Sequence, residues 1–223
     1  MTTAKTIDKH LSLCYITRVG HTRTDKMNYK FPIIRHIDDV LPYIEGREEF
    51  IVAEREGYSV VNYVVAMADT FDMTDADDLG GAVRRECRGL KFAPSGEIAA
   101  RPFVKFFNVG EKEETQPHLV NLSQPHVIME KLDGSMIHPM LVDGYIRWMT
   151  KMGITEVAMQ AEEFIAKNTR YKDFAAWCIS EKLTPIFEWC SPFNQIVLPY
   201  EEDTLTLLAV RHNITGEYLP ISS

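Results

Sequence analysis

The 223-residue chain carries a formal net charge of −8 and is 45% hydrophobic and 25% charged, with no biased tracts. That composition fits a globular protein of one large domain, or one domain with a small appendage, and weighs against a general nucleic-acid coating protein, whose affinity comes from neutralising phosphates. No apolar run approaches the roughly 20 residues of a membrane span, and Met1 to His10 lack the apolar stretch of a secretory signal, so an intracellular protein with no membrane partner is expected.

In chain order, the segment around Leu11 and Ile37 to Ile44 are short and ambiguous. Phe50 to Ala53 and Tyr58 to Ala66 read as strands bridged by a Glu56-Gly57 turn. Asp69 to Gly81 is polar and Gly-ended, a loop or a short helix. Gly89 to Phe92 and Ile98 to Pro102 flank the turn residues Pro94, Ser95 and Gly96, a hairpin pattern. Val127 to Lys131, Met136 to Val142 and Tyr145 to Thr150 read as three short strands, with Asp133-Gly134-Ser135 and Asp143-Gly144 as turns. A helix follows, capped by Thr155, with Val157, Ala161, Phe164 and Ile165 on its apolar face. A second helix is expected from about Asp173 to Lys182, with Phe174, Trp177 and Cys178 inward. The strands Pro185 to Cys190 and Leu205 to Arg211 precede a turn at Asn213 to Gly216. The pattern is α+β: one antiparallel, hairpin-rich sheet with packed helices. Cys14, Cys87, Cys178 and Cys190 form no CxxC pair, which favours reduced core thiols over zinc.

The centre of chemical interest is Glu130-Lys131-Leu132-Asp133-Gly134-Ser135. A free lysine, with a pKa near ~10.4, is a poor nucleophile at neutral pH. Burial and cationic neighbours can lower that value to roughly 7–8, where the amine can attack an electrophile such as a nucleotide α-phosphate. Gly134 permits close backbone approach to a ligand, and the Ser135 hydroxyl can donate to it. On local pattern alone, a hairpin beside a solvated lysine accounts for these residues as well.

The wider pattern narrows the choice. Lys131 to Ser135 resemble the first motif of the covalent nucleotidyltransferases. Upstream, Glu86-Cys87-Arg88-Gly89-Leu90-Lys91-Phe92 and Arg101-Pro102-Phe103-Val104-Lys105-Phe106-Phe107-Asn108 resemble the pattern of the RNA ligase 1 family of tailed bacteriophages. Thr150-Lys151, Phe187-Glu188-Trp189, Ser191-Pro192, Asn194 to Leu198, Val210-Arg211 and Thr215 to Tyr218 extend the resemblance in order. It implies a nucleotidyltransferase domain related to ATP-grasp ligases, with residues 1–60 an N-terminal subregion and 61–223 the adenylyltransferase core of one structural domain. It implies an ATP-dependent RNA ligase using Mg²⁺, with Mn²⁺ as a substitute, on RNA with 5′-phosphate and 3′-hydroxyl ends. The location would be the cytoplasm, the host's for a phage gene.

Residue by residue, the resemblance makes Lys131 the nucleophile that forms lysyl-AMP. Asp133, Gly134 and Ser135 would shape the loop at the adenylate. Arg88 would contact nucleotide or RNA phosphates; on its own it also reads as a surface ion pair with Glu86. Lys105 and Lys151 would bind phosphates, Phe107 would stack on a ring or build the pocket, Glu188 would meet the ribose hydroxyls, and Tyr63 would lie near the nucleotide. Solvated lysines, a core phenylalanine and an edge-strand glutamate are the plain alternatives. No residue is nominated as a metal ligand. Lys131, Glu188, Lys105 and Lys151 are expected at one pocket on a single sheet.

After the third motif the family places an E-G strand and a K-x-K strand. Nothing after Glu188 fits either, and no lysine follows Lys182. The expectation is therefore a C-terminally incomplete ligase that needs a second polypeptide, or a deficient fragment that binds nucleotide or RNA ends. Other covalent nucleotidyltransferases and an unrelated hairpin-rich binding module fit the upstream segments less well.

Overall fold

The Glu56-Gly57 turn, with Gly57 at φ +78°, folds β1 (Phe50–Arg55) onto β2 (Tyr58–Tyr63) in a computed structural model that describes residues 30–123 and 130–220. Glycine reaches positive φ without steric cost. β2 pairs with β3 (Arg88–Phe92), and β3 with β4 (Ile98–Ala100), completing an antiparallel sheet in the order β1-β2-β3-β4. One face buries Phe50, Val61, Leu90 and Phe92 against Val83 of α1 (Leu79–Glu86) and the adjoining Cys87. The junction between residues 60 and 61 lies inside β2.

The second sheet runs β6-β5-β7-β8, from β5 (Ser135–Val142), β6 (Tyr145–Met149), β7 (Leu183–Cys190) and β8 (Thr204–His212). Asp143 at φ +48° and Gly144 at φ +81° make the β5–β6 turn, the two positive φ values that a tight hairpin needs. α2 (Glu156–Ala166), capped by Thr155, and α3 (Thr169–Ser180) cover one face, burying Trp148, Phe187 and Trp189 against Ala161, Ile165, Tyr171 and Ala175. The two sheets meet through Tyr58, Val60 and Ala100 on one side and Met140, Val142 and Met149 on the other. Cys87, Cys178 and Cys190 are free and buried, as expected of core thiols; Cys14 and the segment around Leu11 lie outside the described residues.

The α+β architecture agrees with the sequence reading, and several details correct it. The strands form two sheets, not one. The expected strand Val127 to Lys131 falls largely on residues 124–129, outside the described residues; Glu130 and Lys131 are described and are not in a strand. Gly134 is a bend, and Ser135 to Ile137, which follow it, pair with Phe187 to Trp189 of β7. The second helix starts at Thr169, and Trp177 is 45% exposed rather than inward. At about 100° per residue Trp177 lies roughly 120° around the helix from Tyr171, off the stripe that buries Tyr171, Ala175 and Cys178.

Several of these elements converge on a buried ionic cluster. Glu86 accepts hydrogen bonds from Arg101 (Nε, 3.1 Å) and Arg211 (Nη2, 2.6 Å), and all three side chains are fully enclosed. The guanidiniums also donate to the carbonyls of Pro32, Pro102, Ile214 and Gly216. The alternative of a surface ion pair between Glu86 and Arg88 is thereby corrected, because Glu86 is fully buried and its ion pairs go to Arg101 and Arg211.

Candidate active site

Strand alternation in β7 sends Phe187 and Trp189 to the helix-covered face and Glu188 to the other. Glu188 Oε1 accepts from the Gly134 amide at 3.1 Å. Burial pushes the Glu188 carboxyl above its usual value; the Gly134 amide and the charges of Lys131 and Arg88 pull it back, and Asp133 opposes them. Lys131, Arg88, Asp133 and Glu188 thus share one electrostatic neighbourhood, with Lys131 exposed.

The Asp133 carboxylate is held by backbone amides. Its Oδ2 accepts from Val197 N (2.6 Å) and Leu198 N (2.7 Å), and the Asp133 amide donates to Tyr200 Oη (2.8 Å). The Leu198 and Val197 amides hold this carboxyl below the usual carboxylate value. Ser135 Oγ accepts from Asn194 Nδ2 at 2.9 Å. The segment from Ser191 to Tyr200 is therefore a strap across the Lys131 loop. Sequence reading matched Asn194 but gave it no role, and it missed Tyr200, which contacts Asp133 from 67 residues away.

Gly134 is needed for close approach rather than for a turn. A Cβ there would collide with the Trp189 carbonyl and come within 2.8 Å of Cys190 Sγ. Gly134→Ala is expected to destabilise the fold by about 1–3 kcal/mol, the range for overpacking a tight contact. A urea titration reads this directly, and an unchanged midpoint would mean that β5 moves off β7 without penalty.

Arg88 lies with its guanidinium 5.1 Å from the Phe106 ring centroid, and its Nη1 is buried with no hydrogen-bond partner among the described residues. Such a donor suits an anion. Next to it, Gly89 (φ +88°) packs so tightly on Lys151 that a Cβ would meet the Lys151 backbone. The fully buried Lys91 secures this contact by donating to the carbonyls of Gly89 (3.0 Å), Thr150 (2.8 Å) and Lys151 (2.9 Å), while burial pushes its ammonium well down. In the sequence, nothing separates Lys91 from a solvated strand lysine. Lys151 Nζ sits 4.8 Å from the Tyr63 ring centroid.

Lys105 and Phe107 lie across Phe71 from Tyr63, with Lys105 Nζ 5.8 Å from the Phe71 centroid. Lys105 Nζ is 4.3 Å from the Phe107 centroid, donates to the Phe106 carbonyl at 2.8 Å and lies 3.5 Å from Glu111. Phe107 packs on the first-sheet core. A chain of rings, Tyr63 to Phe71 at 5.1 Å and Phe71 to Phe107 at 6.1 Å, connects this group to Lys151. Lys131, Asp133, Gly134, Ser135, Arg88 and Glu188 are thus gathered. Lys151 and Tyr63 adjoin them through Gly89, and Lys105 and Phe107 lie at the far end of the ring chain.

Among the described residues no group of three or more His, Cys, Asp or Glu is placed to hold a metal ion, and no helix is long and apolar enough to cross a membrane.

Residues 86–223 match the model of a family described as RNA ligase. A protein of Thermovibrio ammonificans named "Putative RNA ligase" is 35% identical over 185 residues, 82% of this chain and 46% of that protein. RNA ligase 1 of Bacteriophage TS2126 is 27% identical over 197 residues, 82% of this chain and 47% of the phage protein. The RNA ligase of Rhodothermus phage RM378 is 27% identical over 168 residues, 56% of this chain and 36% of its own. The chain thus spans about half the length of the first two. The solved structure of an archaeal ATP-dependent RNA ligase (form 2) superposes marginally, with a TM-score of 0.48 at 15% identity over 81% of this chain and 44% of that one.

Proposed function

Because the chain belongs to the phage-type RNA ligase family, we propose that it carries the adenylyl-transfer chemistry of an ATP-dependent RNA ligase, with Lys131 as nucleophile. The observation that carries this reading is the gathering of Lys131, Glu188 and the Arg88 guanidinium, with its unpaired Nη1, at the start of β5. The Lys131 amine, once deprotonated, attacks the α-phosphorus of ATP; a P–N bond forms as the bond to pyrophosphate breaks. AMP then passes to an RNA 5′-phosphate, and a 3′-hydroxyl displaces it to seal the strand. Arg88 and Lys151 would offset charge on the phosphates. Glu188 would accept from the ribose hydroxyls, and Phe107 and Tyr63 would build the pocket wall. Mg²⁺, or Mn²⁺ in its place, would arrive with the triphosphate, since Mg²⁺ is bound mostly through substrate phosphates, water and one or two carboxylates. That fits a site with several cations and, among the described residues, no carboxylate cluster. Lys105 would join only after leaving Glu111 and the Phe106 carbonyl. The setting would be the cytoplasm, the host's for a phage gene.

ATP should bind in preference to GTP. A calorimetric titration tests this, and equal or tighter GTP binding would favour a guanylyltransferase. Glu188 sets a pH dependence. Its carboxyl titrates above the usual 4.5, and only the ionised form accepts from both ribose hydroxyls without donating a proton of its own. ATP affinity is expected to rise as pH climbs through that raised value, and Glu188→Gln to bind weakly and without the rise. A Glu188→Gln profile that parallels wild type would remove Glu188 from the nucleotide site.

A second reading is a fragment that binds nucleotide or RNA ends and transfers AMP only with help. It is favoured by one observation: no lysine follows Lys182 in these residues, so no K-x-K strand is among them. Its partner would be a polypeptide that carries the E-G and K-x-K strands.

A further inference from the structure

β6 ends in a tight turn that carries Lys151. The Thr150 amide donates to the Gly153 carbonyl at 2.9 Å, and the Gly153 amide donates back to the Thr150 carbonyl at 3.1 Å. The turn follows a strand of the second sheet, yet it is held by the first. Tyr58 Oη of β2 accepts from the Ile154 amide at 3.2 Å, and Asn62 Nδ2 of β2 lies 3.1 Å from Met152 Sδ. Gly89 of β3 packs on the Lys151 backbone. Lys91, also of β3, directs its ammonium at the carbonyls of Gly89, Thr150 and Lys151.

Packing alone does not call for that ammonium. Its cross-strand partners Val60 and Ala100 are apolar and fully buried, so an aliphatic chain would fill the position. Lysine is almost never fully buried without a partner of opposite charge, and no carboxylate pairs with Lys91 among the described residues. Three N–H donors meet three carbonyls instead, where a neutral amine has only two to offer. The Thr150 and Lys151 carbonyls belong to the two peptide units that flank the Lys151 Cα. Peptide units are planar, so holding both fixes the φ and ψ of Lys151 and the direction in which its side chain leaves the backbone. The Lys151 ammonium, 4.8 Å from the Tyr63 centroid, makes no ion pair among the described residues.

We propose that Lys91 is a positioning residue for the phosphate site: by fixing both peptide units around Lys151, it aims that ammonium at the triphosphate of ATP, next to Arg88. Lys91 itself touches no substrate. Arg88 immediately precedes Gly89, so the Gly89–Lys151 contact brings together one cation of the first sheet and one that follows a strand of the second. An untethered Lys151 gives up backbone as well as side-chain freedom on binding, which weakens the contact. The inference rests on the nucleotide reading above and deepens it by naming the residue that sets the direction of Lys151.

The test is a double-mutant cycle on the full chain, read as ATP affinity with Mg²⁺ by calorimetric titration. Lys151→Ala is expected to weaken ATP binding about tenfold, the scale of one charge-assisted hydrogen bond. Lys91→Met, close in length and aliphatic, is expected to weaken it by a similar factor, while hydrogen exchange quickens in the segment 150–153. The double variant should bind no more weakly than Lys151→Ala, because Lys91 then has no ammonium to aim. Lys91→Gln keeps two N–H donors on a shorter side chain and should recover part of the loss; it carries the same cycle where the methionine variant does not fold. Losses that add in the double variant assign Lys91 to the general stability of the site and overturn the proposal. So do a Lys91→Met affinity within about twofold of wild type, unchanged exchange at 150–153, an unaffected Lys151→Ala, or failure of both Lys91 variants to fold. In each of these cases a wild type that binds ATP leaves the nucleotide reading standing, whereas a wild type that binds no ATP removes both.

Discussion

Glu86→Ala is expected to lower the stability of the fold by about 3–5 kcal/mol, the range for removing one partner from a buried ion pair. Total stabilities run to only about 5–15 kcal/mol, so a large share would be gone. The reason is geometric. Arg101 and Arg211 are fully enclosed, and without Glu86 both guanidiniums would lose the carboxylate they share. At about 2–4 °C per kcal/mol for a chain of this size, the melting temperature should fall by roughly 6–20 °C, read by circular dichroism. Burial alone would raise the Glu86 carboxyl, but Arg211 and Arg101 outweigh it and hold the group below its usual 4.5. A depressed carboxylate adds stability that is fully present above 4.5 and is lost as pH falls through the lower folded value. Wild type should therefore lose melting temperature in that acid range by more than Glu86→Ala does. A variant that melts within about 2 °C of wild type would show that the cluster adds no net stability.

Lys131→Ala should abolish covalent labelling by radiolabelled ATP with Mg²⁺, since no other residue at the site is proposed to form the P–N bond. The 223-residue polypeptide itself is expected to label weakly. Lys105 is engaged by Glu111 and the Phe106 carbonyl, which leaves Arg88, with its unpaired donor, and Lys151 as the proposed cations for the leaving pyrophosphate. Transition-state charge of this kind is worth several kcal/mol when matched by fixed donors. A second polypeptide carrying the E-G and K-x-K strands should raise labelling of wild type and leave Lys131→Ala blank. Strong labelling of the lone wild-type chain, lost in Lys131→Ala, would mean that residues 1–223 hold all the groups the step requires.

Local signals made most of the second sheet readable. Asp143-Gly144 names its own turn, and Thr155 its own helix start. The helix α1 was hidden because Gly80 and Gly81 are poor helix formers; packing demands the second, where a Cβ would crowd Met73 and Asp78. Asp133-Gly134 read as a turn, and the close contact that requires glycine there depends on Trp189, far along the chain. Long-range pairing also explains the buried charges. Glu86, Arg101 and Arg211 were visible as matched segments, but that they meet is a fact of tertiary structure, across separations of 15 and 125 residues from Glu86. Likewise the fully buried Lys91 and the strap residue Tyr200 act through partners that no local pattern announces.

The two amides that clamp Asp133 belong to Val197 and Leu198, residues that are 72% and 51% exposed. The clamp is thus written in backbone, and the identity of either side chain is almost free to drift without the carboxylate registering it. A saturation scan of these two positions should look silent with one exception. Proline, having no N–H to give, would delete a donor outright. Proline intolerance at two otherwise indifferent surface positions would be the genetic signature of an aspartate held at a distance.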